Sequence, residues 1–157
     1  MRKEINYIKG DATAPVGENN KIIAHICNDI GRWGKGFVLA LSQRWAEPEQ
    51  AYKNWYKKSD DFLPGAVQFV QVEPNLWVAN IIGQHTIYND KKGNPPIRYE
   101  WVRAGLARVA DFAIDNNAAV HMPRIGCGLA GGTWDKIEPL IDENLSDKGV
   151  EVTVYDF

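Results

Sequence analysis

The sequence predicts an α/β fold in which helices cover a central, largely parallel β-sheet. Segments rich in strand-forming residues alternate with segments whose apolar residues recur at helical spacing, in the order β-β-α-α-β-β-α-β-α-β. Several strand segments, such as residues 22–27, are nearly unbroken apolar runs. Such runs are typical of strands buried on both faces, as in the middle layer of an α/β fold.

Four elements are predicted before residue 60. Residues 5–8 and 22–27 are rich in strand formers and predict two strands. Residues 37–45 place large apolar side chains on one helical stripe and predict a helix. A second helix is predicted over residues 49–57, opened by Pro48, because proline fits the first turn of a helix.

The middle of the chain predicts a strand pair and a long helix. Residues 66–72 and 76–82 read as strands joined by a tight Glu-Pro-Asn connection. A polar loop follows over residues 85–96. The apolar residues of 99–114 recur at helical spacing and predict a helix, which an Asn-Asn pair ends.

The last part of the chain predicts strand, helix and strand. Residues 118–122 form a buried strand and residues 150–155 the final one. Between them, Thr133 can cap a helix whose inward stripe includes Ile137. Pro139 lies inside this helix and removes a backbone hydrogen bond, so we expect a later start or a kink.

Composition narrows the class of protein. The chain has 157 residues, of which 45% are hydrophobic, so we expect one domain over residues 1–157. A net charge of −2 argues against general binding to a nucleic-acid backbone, and no apolar run is long enough to span a membrane. Cys27 and Cys127 form no metal-binding spacing and no disulfide framework, which indicates a reducing cytoplasm and no metal.

Two segments share one design, in which a buried strand leads through a glycine-rich loop into a helix. The loops span residues 28–36 and 125–132. At such a junction the helix N-terminus presents unpaired amides, and glycine lets a ligand approach the backbone. Both features favour a phosphate or pyrophosphate as the ligand. The alternative is that both are tight turns in which glycine is simply common.

Residues 126–131 also match the pattern G-x-G-x-x-G. A dinucleotide-binding unit would continue through a helix and strand to an acidic residue, here Asp156. Only one strand follows the motif, so no second nucleotide-binding half can form. We interpret the motif as a phosphate cradle and keep a fragment of an NAD-binding oxidoreductase as a less favoured hypothesis.

Three motifs together resemble those of the macrodomain family: residues 10–13 (Gly-Asp-Ala-Thr), residues 28–37 and residues 122–129. More narrowly, the chain resembles the branch with the yeast ADP-ribose-1″-phosphate phosphatase and the terminal ADP-ribose protein glycohydrolases. The resemblance runs from Ile5 to Tyr155. It implies a three-layer α/β/α macrodomain with a mixed, largely parallel sheet of about six strands.

The resemblance also implies that the protein binds ADP-ribose or an ADP-ribosylated substrate, with no cofactor. Asp11 would accept a hydrogen bond from the adenine amino group, Asn28 would contact the distal ribose, and the second loop would cradle the pyrophosphate. The residues implied at the ligand are Asp11, Ala12, Thr13, Asn28, Ile30, Gly31, Arg32, Trp33, Gly34, Gly36, Phe37, Arg124, Ile125, Gly126, Cys127, Gly128, Leu129, Ala130, Gly131 and Tyr155. Arg32, Lys35 and Arg124 could supply positive charge, although each could equally be a solvated surface residue.

Catalysis is less constrained by the sequence. The glycohydrolases of this branch use a lysine after the fourth strand and an aspartate in the second loop, where this chain has Gln84 and Ala130. Neither can form a lysyl–sugar adduct or act as an acid–base carboxylate. The candidate catalytic residues are Asn28, His25, Lys35 and His85, with Asp29 and Asp90 as further titratable groups. His25 could instead be a core histidine, since it lies in an apolar strand.

We therefore expect a monomeric hydrolase of ADP-ribose derivatives, acting on the 1″-phosphate or on an ADP-ribosylated adduct. The alternative is a non-catalytic ADP-ribose-binding module.

Overall fold

The computed structural model describes residues 2–157 and contains the predicted elements in the predicted order. Met1, the first residue of the predicted domain, lies outside the described residues. The strands are β1 Asn6–Lys9, β2 Asn20–Asn28, β3 Val67–Glu73, β4 Leu76–Gln84, β5 Ala118–Met122 and β6 Val152–Asp156. The helices are α1 Phe37–Arg44, α2 Glu47–Lys58, α3 Tyr99–Asp115 and α4 Trp134–Asn144, and single 3₁₀ turns span Gly128–Ala130 and Ser146–Lys148.

The strands form one mixed sheet in the order β1-β6-β5-β2-β4-β3. Every neighbouring pair is parallel except β3 and β4, which are antiparallel because a short turn joins them. The prediction of a mixed, largely parallel sheet is confirmed. The carboxyl ends of β1, β6, β5, β2 and β4 consequently meet at one edge, which is where ligands bind in open α/β sheets.

Helices cover both faces of the sheet, so the fold has three layers. On β2, Ile22 and Ala24 point into the apolar cluster shared with α3 and α4, whereas Ile23 and Cys27 point into the cluster shared with α1 and α2. Ile22 and Ile23 are both 0% exposed. Burying an isoleucine side chain contributes about 1.5–3 kcal/mol, so this strand stabilises both halves of the core.

The structure corrects two expectations about α4. Thr133 occupies the position before the helix, but its side chain makes no capping hydrogen bond. Its backbone N–H instead donates to the Tyr99 hydroxyl at 3.1 Å. The helix begins at Trp134, ahead of Pro139, so the predicted later start is wrong. Ile137 and Ile141 of the apolar stripe are fully buried, and this packing holds the helix in spite of the missing amide.

Candidate ligand-binding cleft

A cleft opens at the carboxyl edge of the sheet, between two loops that follow neighbouring strands. The first glycine loop (residues 28–36) starts at the last residue of β2, and the second glycine loop (residues 125–132) lies just beyond β5, which pairs with β2. The cleft has two adjoining lobes of about 300 Å³ and about 470 Å³. The lobes share Ile26, Lys35, Val38, Gln84 and Leu129. These volumes are in the range of small-molecule sites in proteins.

The structure brings most of the predicted site residues to this cleft. Those lining it are His25, Asn28, Arg32, Trp33, Gly34, Lys35, Gly36, Phe37, Arg124, Ile125, Gly126, Cys127, Gly128, Leu129 and Ala130. The predicted residues outside its two lobes are Asp11, Ala12, Thr13, Ile30, Gly31, His85, Gly131 and Tyr155. The motif after β1 therefore lies farther along the same edge of the sheet, beyond the loops.

Asn28 holds the first glycine loop in shape. Its side-chain oxygen accepts hydrogen bonds from the backbone N–H groups of Ile30 and Arg32, both at 3.1 Å. The Tyr52 hydroxyl lies 2.6 Å from the Asn28 carbonyl and 2.8 Å from its side-chain oxygen. Its amide nitrogen donates to the Arg32 carbonyl at 2.6 Å. Because nearly all of its hydrogen-bonding capacity is used inside the loop, Asn28 acts first as a structural residue of the site.

His25 and Trp33 form the floor beneath this loop. The His25 Nε2–H donates to the Asn80 side-chain oxygen at 2.5 Å, and the Trp33 ring packs edge-on against the imidazole at 5.4 Å. Burial lowers the pKa of His25 to about 4, so the side chain is neutral at pH 7. The Trp33 indole nitrogen donates to Ser42 at 2.8 Å. These contacts favour a core role for His25, the alternative that its apolar strand suggested.

The start of α1 provides an open anion-binding surface. Gly36 precedes the helix without a side-chain cap, and the first turn holds no acidic residue. The amides of Gly34 and Gly36 donate to no acceptor within residues 2–157. Both glycines face open space, since a side chain added at either would meet no atom within 4 Å. Unpaired amides at the positive end of a helix attract phosphate.

The second glycine loop closes on itself and leaves one glycine facing outwards. The Gly132 amide donates to the Gly126 carbonyl at 2.8 Å. A Cβ at Gly132 would lie 2.4 Å from that carbonyl oxygen, so no other residue fits there. Gly128, with φ +52°, has no neighbour within 4 Å of a Cβ position, and its amide donates to no acceptor in the described chain. Gly128 is therefore the position in this loop most open to a ligand.

Positive charge at the cleft comes from three side chains that differ in whether they form a salt bridge. Arg32 and Lys35 are exposed and make no salt bridge within residues 2–157. Arg124 donates two hydrogen bonds to Asp156, at 2.6 and 3.0 Å, and these raise its pKa. Its guanidinium also lies 5.0 Å from the Trp134 ring centre. Because Arg124 already has a carboxylate partner, Lys35 and Arg32 supply the unbalanced charge.

Asp11 forms a turn directly after β1. One of its oxygens accepts hydrogen bonds from the Thr13 N–H at 2.8 Å and from the Thr13 hydroxyl at 2.7 Å. The hydroxyl hydrogen bond lowers the pKa of Asp11, so it is a carboxylate at neutral pH. The other oxygen lies 3.7 Å from Arg44 at the surface. Asp11 therefore fixes the turn through one oxygen, and the second oxygen lies at the surface.

Tyr155 is in the core and not at the surface of the site. It is 4% exposed, and its hydroxyl bonds His121 at 2.7 Å and accepts from the Val16 N–H at 2.9 Å. Its ring packs beneath Gly10, where a Cβ would approach to 3.4 Å. The expectation that Tyr155 contacts a ligand is therefore not supported by its position. It supports the loop that carries Asp11.

Several lining residues were not predicted as site residues. Ile26, Val38, Ile87 and Pro123 line one or both lobes. Val38 could have been found from its place in the first turn of α1. Ile26 is the one partly exposed residue in the otherwise buried run 22–28, a difference that only the structure reveals. Ile87 lies in a polar loop with no apolar pattern to mark it.

Within residues 2–157, no helix combines the length and the apolar composition needed to cross a membrane. In the same part of the chain, no group of three or more His, Cys, Asp or Glu side chains is placed to hold a metal ion.

Solved structures with this fold include close relatives of the chain. It superposes on a Bacteroides thetaiotaomicron protein of unknown function with a TM-score of 0.97, at 64% identity and with 98% of each chain covered. A macrodomain protein from Streptomyces coelicolor is 56% identical with a TM-score of 0.87, over 98% of this chain and 99% of that one. The chain belongs to the macrodomain family. A scan against family models returned no match.

Curated relatives fall into two groups. The mouse chromodomain-helicase-DNA-binding protein 1-like is 32% identical over 162 residues, which cover 98% of this chain but only 18% of that protein. The chain thus spans less than a fifth of this relative. The ADP-ribose 1″-phosphate phosphatase of Candida albicans is 25% identical, covering 88% of this chain and 92% of that protein. The human ADP-ribose glycohydrolase OARD1 is also 25% identical, covering 96% and 90%.

Proposed function

We propose that the cleft binds ADP-ribose, free or as part of a conjugate, and that the protein hydrolyses such conjugates. The observation that carries the proposal is the pairing of two glycine loops at the ends of adjacent parallel strands, with the Gly34, Gly36 and Gly128 amides donating to no acceptor within residues 2–157. Two loops with open amides suit a pyrophosphate, which has two charged groups to satisfy.

The proposed arrangement places the pyrophosphate between Gly128 and the start of α1. The distal ribose then lies in the lobe lined by Asn28, Arg32 and Gln84. The adenine extends along the carboxyl edge towards the second oxygen of Asp11, which lies beside Arg44 at the surface. Lys35 lines both lobes, so its ammonium lies beside the proposed pyrophosphate and offsets part of its charge.

Hydrolysis is supported by relatives whose names state it, a phosphatase and a glycohydrolase matched over nearly their whole length. Among the candidate catalytic residues, His25 and Asn28 are buried and hydrogen-bonded within the protein, whereas Lys35 and His85 are exposed. Because Gln84 and Ala130 cannot supply the lysine and aspartate of the glycohydrolase branch, we propose a different chemical route. We further propose that one domain, residues 1–157, acts as a cytoplasmic monomer.

The test is turnover of two substrates by the wild-type protein. Phosphate release from ADP-ribose-1″-phosphate reports the phosphatase activity, and loss of label from mono-ADP-ribosylated protein reports removal of an adduct. Turnover of either supports the hydrolase. Binding of ADP-ribose without turnover of either would contradict it and leave a non-catalytic module, which the residues at positions 84 and 130 would then explain.

A further inference from the structure

We propose that Asp29 and His85 form a proton-transfer pair beside the cleft, with His85 as the general base and Asp29 as the residue that positions it. The inference rests on the proposed function, because it assigns a catalytic group to the proposed hydrolysis. It pairs Asp29, in the first glycine loop, with His85, which lies outside the motifs that identify the family.

The topology brings the two residues together from distant parts of the sequence. Asn28 at the end of β2 pairs with Gln84 at the end of β4, and both line the cleft. Asp29 and His85 directly follow these two strand ends. Ile87, two positions after His85, lines the cleft again. The pair is therefore flanked on both chains by residues of the cleft wall.

The carboxylate orients the imidazole. One Asp29 oxygen lies 2.7 Å from Nδ1 of His85, and the other accepts the Thr86 backbone N–H at 2.8 Å. Because a carboxylate only accepts hydrogen bonds, Nδ1 must carry the proton of this contact. In the neutral imidazole that leaves Nε2 with a lone pair, which is the form of a general base.

The backbone around the pair is fixed in an uncommon conformation. The His85 N–H donates to the Pro96 carbonyl at 2.9 Å, and the Gln84 side chain donates to the Thr86 carbonyl at 2.9 Å. Thr86 has φ +55°, which is costly for a β-branched residue. Strain of this kind persists where surrounding contacts impose it, and it is concentrated at functional sites.

Exposure separates this pair from an ordinary surface ion pair. The Asp29 side chain is only 19% exposed, whereas that of His85 is 53% exposed. The Trp101 ring from α3 contacts the imidazole edge-on, at 6.2 Å between ring centres, and brings no charge to it. A solvent-exposed ion pair that only joins two loops would stabilise the fold little. A partly buried carboxylate that orients an accessible imidazole fits proton transfer better.

The Asp29–His85 pair would serve the attack of water on C1″, the anomeric carbon of the distal ribose. In the conjugate, this carbon is joined through an oxygen atom to a carboxylate or a phosphate. Nε2 of His85 takes a proton from water as the water oxygen forms its bond to C1″. The bond from C1″ to the leaving oxygen breaks, and its electron pair leaves with the carboxylate or phosphate. The imidazolium then returns its proton to solvent. Such leaving groups need no proton, so a single base suffices.

The experiment compares turnover with binding in matched variants. Wild type, His85→Ala, Asp29→Asn and the control Asn89→Ala, an exposed residue of the same loop, are assayed for kcat on ester-linked ADP-ribosylated protein and for the Kd of ADP-ribose. We expect His85→Ala to lower kcat about 100-fold at unchanged Kd, as for loss of a general base. Added imidazole should restore activity to His85→Ala only, and Asn89→Ala should match wild type.

Each contrary result has a distinct meaning. Wild-type kcat in His85→Ala, or a loss that imidazole does not restore, would overturn the proton-transfer pair while leaving the hydrolase intact. A wild type that binds ADP-ribose but turns over no conjugate would overturn both the pair and the hydrolytic activity. A wild type that does not bind ADP-ribose would overturn the proposed function itself.

Discussion

A carboxylate introduced at Gly128 should abolish binding of a pyrophosphate ligand while the fold survives. A Cβ at this position meets no atom within 4 Å, so the new side chain extends into open space. The cost to folding is the φ of +52°, which for a non-glycine residue amounts to about 1–2 kcal/mol. A domain of ordinary stability, about 5–15 kcal/mol, remains folded after such a loss.

The electrostatic effect on the ligand is larger. A unit charge about 4 Å from a phosphate charge is repelled by about 4 kcal/mol at the effective dielectric constant near a protein surface, and at about 8 Å by about 2 kcal/mol. Gly128→Glu should therefore raise the Kd for ADP-ribose about 30- to 1000-fold relative to Gly128→Gln, which has the same shape and backbone cost. The difference should shrink at 1 M salt, where the Debye length falls to about 3 Å.

Isothermal titration calorimetry on both variants, with thermal unfolding as the check on folding, measures this difference. Equal affinities for the Glu and Gln variants would refute the placement of the pyrophosphate beside Gly128. Loss of binding by both, with the fold retained by circular dichroism, would indicate that the bulk of either side chain blocks the ligand.

Three further predictions follow from the site and the core. Lys35→Met should weaken ADP-ribose binding about 10- to 100-fold, as for loss of a charge-assisted hydrogen bond. Arg124→Met should weaken binding less, because Arg124 is already paired with Asp156. If calorimetry gave the reverse order, Lys35 would not be the main source of positive charge at the ligand. Asp11→Asn keeps an acceptor for the Thr13 N–H but presents donors to the adenine amino group, so binding should weaken while the melting temperature changes little, and unchanged affinity would remove the adenine contact. Burial lowers the pKa of His25 and of His121 to about 4, against an ordinary value of about 6.5, so the unfolded state binds more protons between these values. Their stabilising contribution is complete above pH 6.5 and should fall by on the order of 2–3 kcal/mol each as the pH drops to 4; a flat free energy of unfolding by urea titration over this range would contradict it.

The sequence predicted the elements well because their signals are local. The apolar run of β2 and the helical periodicity of α3 both record burial, and the structure gives both elements at nearly the expected bounds. The exact ends differ by one or two residues, as terminal turns and strand ends usually do. The strand order could not be derived, because β1 pairs with β6 across almost the whole chain.

The loops of the candidate cleft were also predicted because their signals are local, whereas the roles of single residues were not. The glycine loops are local motifs, and their strand–loop–helix context indicates a phosphate site. The roles within them depend on contacts between distant residues. Nothing local shows that Gly132 is held against Gly126 while Gly128 is open, or that Tyr155 is buried against His121. The register of β2 against β4 likewise decides that His85 meets Asp29.

The resemblance to macrodomains added what local patterns lack, namely which loops act together. It did not settle the chemistry, because Gln84 and Ala130 stand where the glycohydrolase branch has its lysine and aspartate. Gln84 instead lines both lobes of the cleft and hydrogen-bonds the Thr86 carbonyl, which links the cleft wall to the loop that carries His85.

The most direct test of the central proposal is calorimetric titration of the wild-type protein with ADP-ribose and, separately, with NAD. The cleft between the two glycine loops predicts saturable binding of ADP-ribose, with one site per chain and an affinity higher than that for NAD. No binding of ADP-ribose, or tighter binding of NAD, would contradict the proposal.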